Sequence, residues 1–269
     1  MPGMKTGVLS LVGEILPTLV EEMKNQYFAD VNDYRKYGLL RLLSNKGSLP
    51  IAICWMLTRD DGRNDGNNER YVKDEDIWRH YDPDLFDILK DVIIEKRKET
   101  PKDVKVAKKR KIVPGALYYD PPITGWRIYL TDNSEKREKY FDEFFKLAKP
   151  CKLIFFDPDN GLEVQSVKYG RRGSSKYLYW RELECAVEAG HSVLLYQHFP
   201  REKRVNFIVR KAKELLKRTG KKKVYSFRTA HVVFFLVPQN ERIDFFNRGI
   251  QSVDSKWNDQ IEMKKHTPE

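Results

Sequence analysis

Residues 153–163 read Leu-Ile-Phe-Phe-Asp-Pro-Asp-Asn-Gly-Leu-Glu, an apolar run that passes straight into a turn. Pro158 fixes its own φ and removes a backbone donor, and Gly161 permits a reversal, so Asp157, Asp159 and Asn160 should project from a rigid strand-ending turn. Outward from this strand (152–156), similar apolar runs at 51–57 (IAICWML), 115–119 (GALYY) and 192–197 (SVLLYQ) predict further strands. Between them lie stretches with helical spacing: 33–43, 84–98, one opening at Ser134 with Tyr140, Phe141, Phe144, Phe145 and Ala148 on one face, and 175–189. A basic helix follows over 201–223, with Val205, Ile208, Ala212, Leu215 and Leu216 on its docked face. VYSF (224–227) and HVVFFLV (231–237) form a hairpin turning near 228–230. Strands alternating with helices predict an α/β fold: an open, doubly wound, mostly parallel, Rossmann-like sheet with an antiparallel C-terminal hairpin.

In such a sheet, ligands bind beyond the carboxyl ends of the strands. The residues there are unusually polar. Asp60, Asp61 and Asp65 follow the first strand, Asp157, Asp159 and Asn160 the middle one, and Gln197 and His198 the next. Asp60, Asp61 and Asp65, oxygen donors on a tight loop, suit a hard cation such as Mg²⁺ or Ca²⁺, and Asp157, Asp159 and Glu163 with Asp60 or Asp61 form an alternative set for Mg²⁺. His198 is a candidate general base. The segment 163–176 carries Lys168, Arg171, Arg172 and Lys176 with two glycines, and reads as a mobile loop that clamps phosphates. His231 reads as a packed strand residue.

The chain has 269 residues, 50 Lys and Arg against 39 Asp and Glu, and a net charge of +11. That excess is local: residues 95–111 carry +6 and 201–223 carry +9, leaving the rest slightly acidic. An anionic partner follows, with nucleic acid, RNA or DNA, the first choice. Arg204, Lys211, Lys217 and Arg218 are expected on the outer face of the basic helix, and Gln197, Arg201 and Lys211 join Lys168, Arg171, Arg172 and Lys176 as candidate substrate contacts. No apolar run has the length of a membrane span. Cys54, Cys151 and Cys185 are odd in number, far apart and in apolar surroundings, which argues against disulfides and structural zinc and for a reducing cytoplasm. Residues 1–22 read as an N-terminal extension, and 23–269 as a single α/β domain with a basic insertion around 95–111.

The Asp157-Pro158 turn resembles the Asp-Pro-Pro-Tyr turn after the fourth strand of class I S-adenosylmethionine-dependent methyltransferases that act on amino groups; Asp159 and Asn160 stand where that family has its second Pro and its aromatic. The element order is similar to that of ribosomal RNA adenine methyltransferases, and ADVNDYRKYGLLRLL (29–43) resembles their N-terminal segment, which places Lys36 at a functional lysine of that family. Together NQYFADVNDYRKYGLLR, CWMLTRDDGRNDG, FFDPDNGLE, GRRGSSKY and YQHFPREKR also resemble a bacterial protein family, a likeness that implies no activity. The methyltransferase resemblance implies S-adenosylmethionine over the 58–66 loop (Thr58, Asp60, Asp61, Gly62, Asp65, Gly66), with Asp157 orienting an acceptor amine. That loop has only Gly62 and Gly66. Three functions therefore stay open: a nucleic-acid-directed methyltransferase-like enzyme, a Mg²⁺-dependent nuclease or phosphoesterase, and a nucleic-acid-binding module on a degenerate methyltransferase fold.

Overall fold

The computed structural model describes residues 28–58, 68–96, 105–119 and 130–268. The 1–22 extension, Asp60, Asp61, Gly62, Asp65, Gly66 and part of the basic insertion lie outside the described residues.

Helix α1 (Val31–Leu43) leads into strand β1 (Ile51–Cys54). Then come α2 (Glu75–Trp78), α3 (Pro83–Lys96), α4 (Lys105–Lys109), the short β2 (Leu117–Tyr118), α5 (Ser134–Ala148) and β3 (Leu153–Phe156). Two short strands, β4 (Gly161–Leu162) and β5 (Tyr177–Leu178), pair with each other, and α6 (Trp180–Glu188) follows. The chain continues through β6 (Ser192–His198), α7 (Arg204–Thr219), β7 (Val224–Arg228), β8 (Val232–Val237), α8 (Ile243–Lys256) and β9 (Glu262–His266).

The main sheet has the order β2-β1-β3-β6-β8-β7-β9. The pairs β2/β1, β1/β3 and β3/β6 are parallel, and β6/β8, β8/β7 and β7/β9 are antiparallel. Alternation along the strands sends residues to two cores. Ile51, Ile53, Leu153 and Phe155 face α1, α3 and α8, whereas Ala52, Cys54, Ile154 and Phe156 face α5, α6 and α7. The sheet is thus covered on both faces, as doubly wound folds require. From β1 the chain crosses to β2 on one side and later to β3 on the other, so the strand order reverses between β1 and β3. That reversal is where open α/β sheets bind ligands.

Several expectations need correction. The antiparallel part is a three-stranded unit, because β9 pairs with β7. Its sequence, EMKKH, is half-exposed at the sheet edge and carries no apolar alternation. The helix expected over 175–189 begins at Trp180, because the Glu182 carboxylate reaches back to the Tyr179 amide at 2.9 Å and fixes the start there. Asn133, not Ser134, caps α5, accepting from the Lys136 amide at 2.9 Å. On α7, Val205 is 52% exposed; Phe207 and Ile208 begin the docked stripe instead. Cys185 is exposed, as is His231, which stands just before β8. No helix among the described residues is long and apolar enough to cross a membrane.

Candidate functional site at the strand reversal

The site starts at the first turn of α1. Asp30 caps the helix, accepting from the amides of Asn32 (2.8 Å) and Asp33 (2.9 Å), and Asp33 accepts the Ala29 amide at 3.0 Å. Ala29 stands at φ +67°, and this left-handed residue turns the entering chain so that its amide meets Asp33. One turn later, Lys36 lies over Asp33 (i, i+3), and its Nζ contacts Asp33 Oδ1 at 2.7 Å and Asp157 Oδ2 at 2.9 Å. The helix therefore delivers its ammonium group to the end of β3, 121 residues away in sequence.

At that end, the Asp157 amide extends the ladder to Cys54 O at 3.0 Å before Pro158 stops it. Thr58, just after β1, donates its hydroxyl to Asp159 Oδ2 at 2.8 Å and so ties together the two loops that flank the reversal. Gln197 fixes the far side of the turn. Its Oε1 accepts the Leu162 amide at 2.9 Å, and its Nε2 donates to Asn160 O and His198 O, both at 2.9 Å. Gly161 has φ +107°, and a Cβ there would run into this Gln197 amide, so the turn needs glycine for both backbone and space. Gln197 is thus a buried staple rather than a substrate contact.

Electrostatics follow from the burial of charge. Burial works against the Lys36 ammonium, but Asp157 and Asp33 together hold its pKa well above the usual lysine value. Burial likewise raises the Asp157 carboxyl, and Lys36 opposes that rise. Asp30 is pushed up to about 6 by burial first and by Asp33 second. Tyr196, on the same face of the sheet, is raised by burial and then by Asp157. Nearby, Tyr37 Oη and Trp55 Nε1 are buried without a hydrogen-bond partner among the described residues.

The raised Asp30 carries a consequence for stability. Between its unfolded value of 3.8 and about 6, the folded protein binds a proton that the unfolded chain does not. Stability from this group is therefore greatest at the acid end and falls as pH rises through 6. Asp30→Asn keeps an oxygen acceptor for the cap and removes the titration. Urea unfolding compared at about pH 5 and pH 7.5 should show the variant's pH dependence reduced by about 1–2 kcal/mol relative to the parent. An unchanged dependence would assign it to other groups.

The structure gathers Lys36, Asp157, Asp159 and Thr58 and separates the rest. Glu163 lies in a different cleft, where burial raises its pKa and Arg218 opposes. The metal set that included it is therefore not assembled, and no group of three His, Cys, Asp or Glu among the described residues is placed to hold a metal ion. His198 is exposed, with Nδ1 3.4 Å from Tyr196 Oη, and its pKa is lowered by burial and by His231.

The segment 163–176, expected to be mobile, is pinned. Asp132 accepts the amides of Gly173 (2.7 Å) and Ser175 (2.8 Å). The fully buried Arg137 donates to Ser174 O and Tyr177 O while pairing with both oxygens of Glu182 at 2.5 and 2.8 Å. Lys168 lines the cleft beside it, the Lys176 carbonyl accepts the Asn160 amide, and Arg171 and Arg172 are exposed without lining that cleft. Lys211 is buried against Glu214 at 2.9 Å rather than standing out toward solvent as expected, whereas Arg218, exposed as expected, pairs with Glu184 at 2.7 Å, and both lie over the Trp180 ring. Sequence reading missed Asp30, Asp33 and Tyr196; the Asp33/Lys36 spacing was the available signal. Neither a protein-family model nor a curated protein matches the chain.

Proposed function

We propose that the protein is a methyltransferase-like enzyme that uses S-adenosylmethionine and modifies an amino group of a nucleic acid. The observation that carries this reading is the contact of Lys36 with Asp157 at 2.9 Å, at the point where the strand order reverses. Burial alone would favour a neutral Asp157. The ammonium beside it favours the carboxylate, which has acceptor oxygens only. A carboxylate held this way accepts an N–H from an amine and turns the nitrogen lone pair away from itself. Thr58 and Gln197 keep the turn rigid, so this orientation is set before the acceptor arrives.

The donor set suits a cationic cofactor. Asp33 and Asp157 contact Lys36, with Asp30 capping the same helix and Asp159 on the same turn, so carboxylates outnumber the lysine there, and Tyr37 Oη and Trp55 Nε1 are buried with no hydrogen-bond partner among the described residues. When bound, S-adenosylmethionine supplies an electrophilic methyl group and carries positive charge at its sulfonium and its ammonium. The Mg²⁺ alternative is weaker, because Lys36 already occupies the Asp157 oxygen that a metal would use.

Calorimetric titration with S-adenosylhomocysteine and, separately, with Mg²⁺ discriminates between these readings. The methyltransferase reading predicts saturable binding of the nucleoside. Binding of Mg²⁺ alone would replace that reading with the hydrolytic one, and binding of neither would leave a non-catalytic module.

A further inference from the structure

Two depressions on the α7 side of the sheet share His198, Phe199, Pro200 and Glu202. The larger, about 900 Å³, begins at the turn that carries Asp157, since Asn160 and Gln197 line it, and runs between the 162–169 segment and α7. The second, about 590 Å³, is an open shelf under Arg201, Lys203 and Arg204. Three cations of the cleft are already matched, Arg210 by Glu202, Lys211 by Glu214 and Arg218 by Glu184, and Lys168 at its rim forms no ion pair among the described residues. On the shelf the charge is unmatched. Arg201, Lys203 and Arg204 are exposed and form no ion pair among the described residues. Arg204 holds its guanidinium 5.2 Å above the Phe199 ring, at the junction of the two depressions.

We propose that this continuous track holds a single strand of nucleic acid, with phosphates on the Arg201, Lys203 and Arg204 shelf and a nucleotide beside the target stacked in the cleft against Phe199 and Tyr177. The inference deepens the function proposed above and rests on it for where the strand leads and for the strand being single; the binding itself can be read without turnover. Unmatched cations within four residues of one another suit successive phosphates. Half-buried aromatic faces accept any base, since every base has a π-face. The strand is single for a geometric reason. Asp157 is only 15% exposed, at a strand end beneath α1, and a base stacked within a duplex cannot reach it without leaving the stack.

The test is fluorescence anisotropy of labelled single-stranded RNA and DNA of about 12 nucleotides, and of the matching duplexes, across a salt titration. The triple variant Arg201→Gln, Lys203→Gln, Arg204→Gln should bind single strands about tenfold more weakly or worse, with the log–log salt slope reduced by about 2. Phe199→Ala should weaken binding about fivefold or more and leave the slope unchanged. Lys217→Gln, about 20 Å further along α7, should change affinity by less than about twofold. The proposal is overturned if the triple variant binds as the parent does, if duplexes bind as tightly as single strands, or if poly-glutamate competes as well as the strand, which would indicate an acidic protein partner. Intact binding without any methyl transfer would sink the proposed activity and leave the track standing.

Discussion

Asp157→Ala should lower methyl transfer to a nucleic-acid acceptor by about three orders of magnitude while changing folding stability by no more than about 1–2 kcal/mol. The two effects separate because of how the carboxylate is held. It is a buried charge whose pKa burial raises, so its ionised form gives little net stabilisation, and Lys36 keeps a second partner in Asp33 at 2.7 Å when Asp157 is removed. Function, by contrast, loses the carboxylate that Lys36 holds at the end of β3. Asp157→Asn should be nearly as inactive, since a side-chain amide next to the Lys36 ammonium turns its oxygen toward the lysine and presents N–H groups to the acceptor amine. Lys36→Met should act through Asp157: with the ammonium gone, the carboxyl rises further and the acid limb of the pH–rate profile moves to higher pH. Asp157→Ala with parental activity would reduce the turn to a strand ending.

The largest expected loss of stability lies elsewhere. Arg137→Leu should cost about 3–5 kcal/mol, because it strands the Glu182 carboxylate in a site where both groups are almost fully buried and releases the carbonyls of Ser174 and Tyr177. Burial already raises the Glu182 pKa and Arg137 opposes it, so without the guanidinium the carboxyl is raised further. A raised acid stabilises the fold least when ionised. The deficit should therefore grow as pH rises through the new folded value and shrink on acidification. The double variant Arg137→Leu, Glu182→Leu should recover part of the loss in urea unfolding, while the bonds to the two carbonyls stay lost. Limited proteolysis should then cut within 163–176, the segment Arg137 fastens. Equal stability of parent and single variant would refute the clamp.

Much of the architecture was legible in the sequence, because buried parallel strands are short apolar runs and their helices carry clear stripes. LIFF, SVLLYQ and VVFFLV each became strands, and the hairpin turned where expected. Strand β9 was not legible, since an edge strand half in water is held by backbone pairing rather than apolar alternation. Helix α8 was legible and unread: Ile243, Phe246, Ile250 and Val253 repeat at helical spacing.

The site divides the same way. Asp157 is marked by Pro158 and Gly161, whose backbone requirements are local and therefore visible. The meeting of Lys36 with Asp157 is a tertiary fact, and only the resemblance in the 29–43 segment pointed to Lys36. Charge counting misled at α7, where +9 over 201–223 suggested a basic face along the whole helix. Glu184 of α6 pairs with Arg218, and Glu202 and Glu214 pair with Arg210 and Lys211, while Arg201, Lys203 and Arg204 at the start of the helix and Lys217 near its end form no ion pair among the described residues. Glycines misled at 170–173, where positive φ at Gly170 and Gly173 serves a turn that Asp132 and Arg137 fasten.

The central claim is that Asp157 presents a carboxylate to an amine. It is tested most directly by incubating the protein with single-stranded nucleic acid and methyl-labelled S-adenosylmethionine, digesting the product to nucleosides and identifying the labelled atom. The account predicts a methyl group on the amino nitrogen of a base, absent with Asp157→Ala. Label on a ring carbon or on a ribose oxygen, or no label at all, would contradict it.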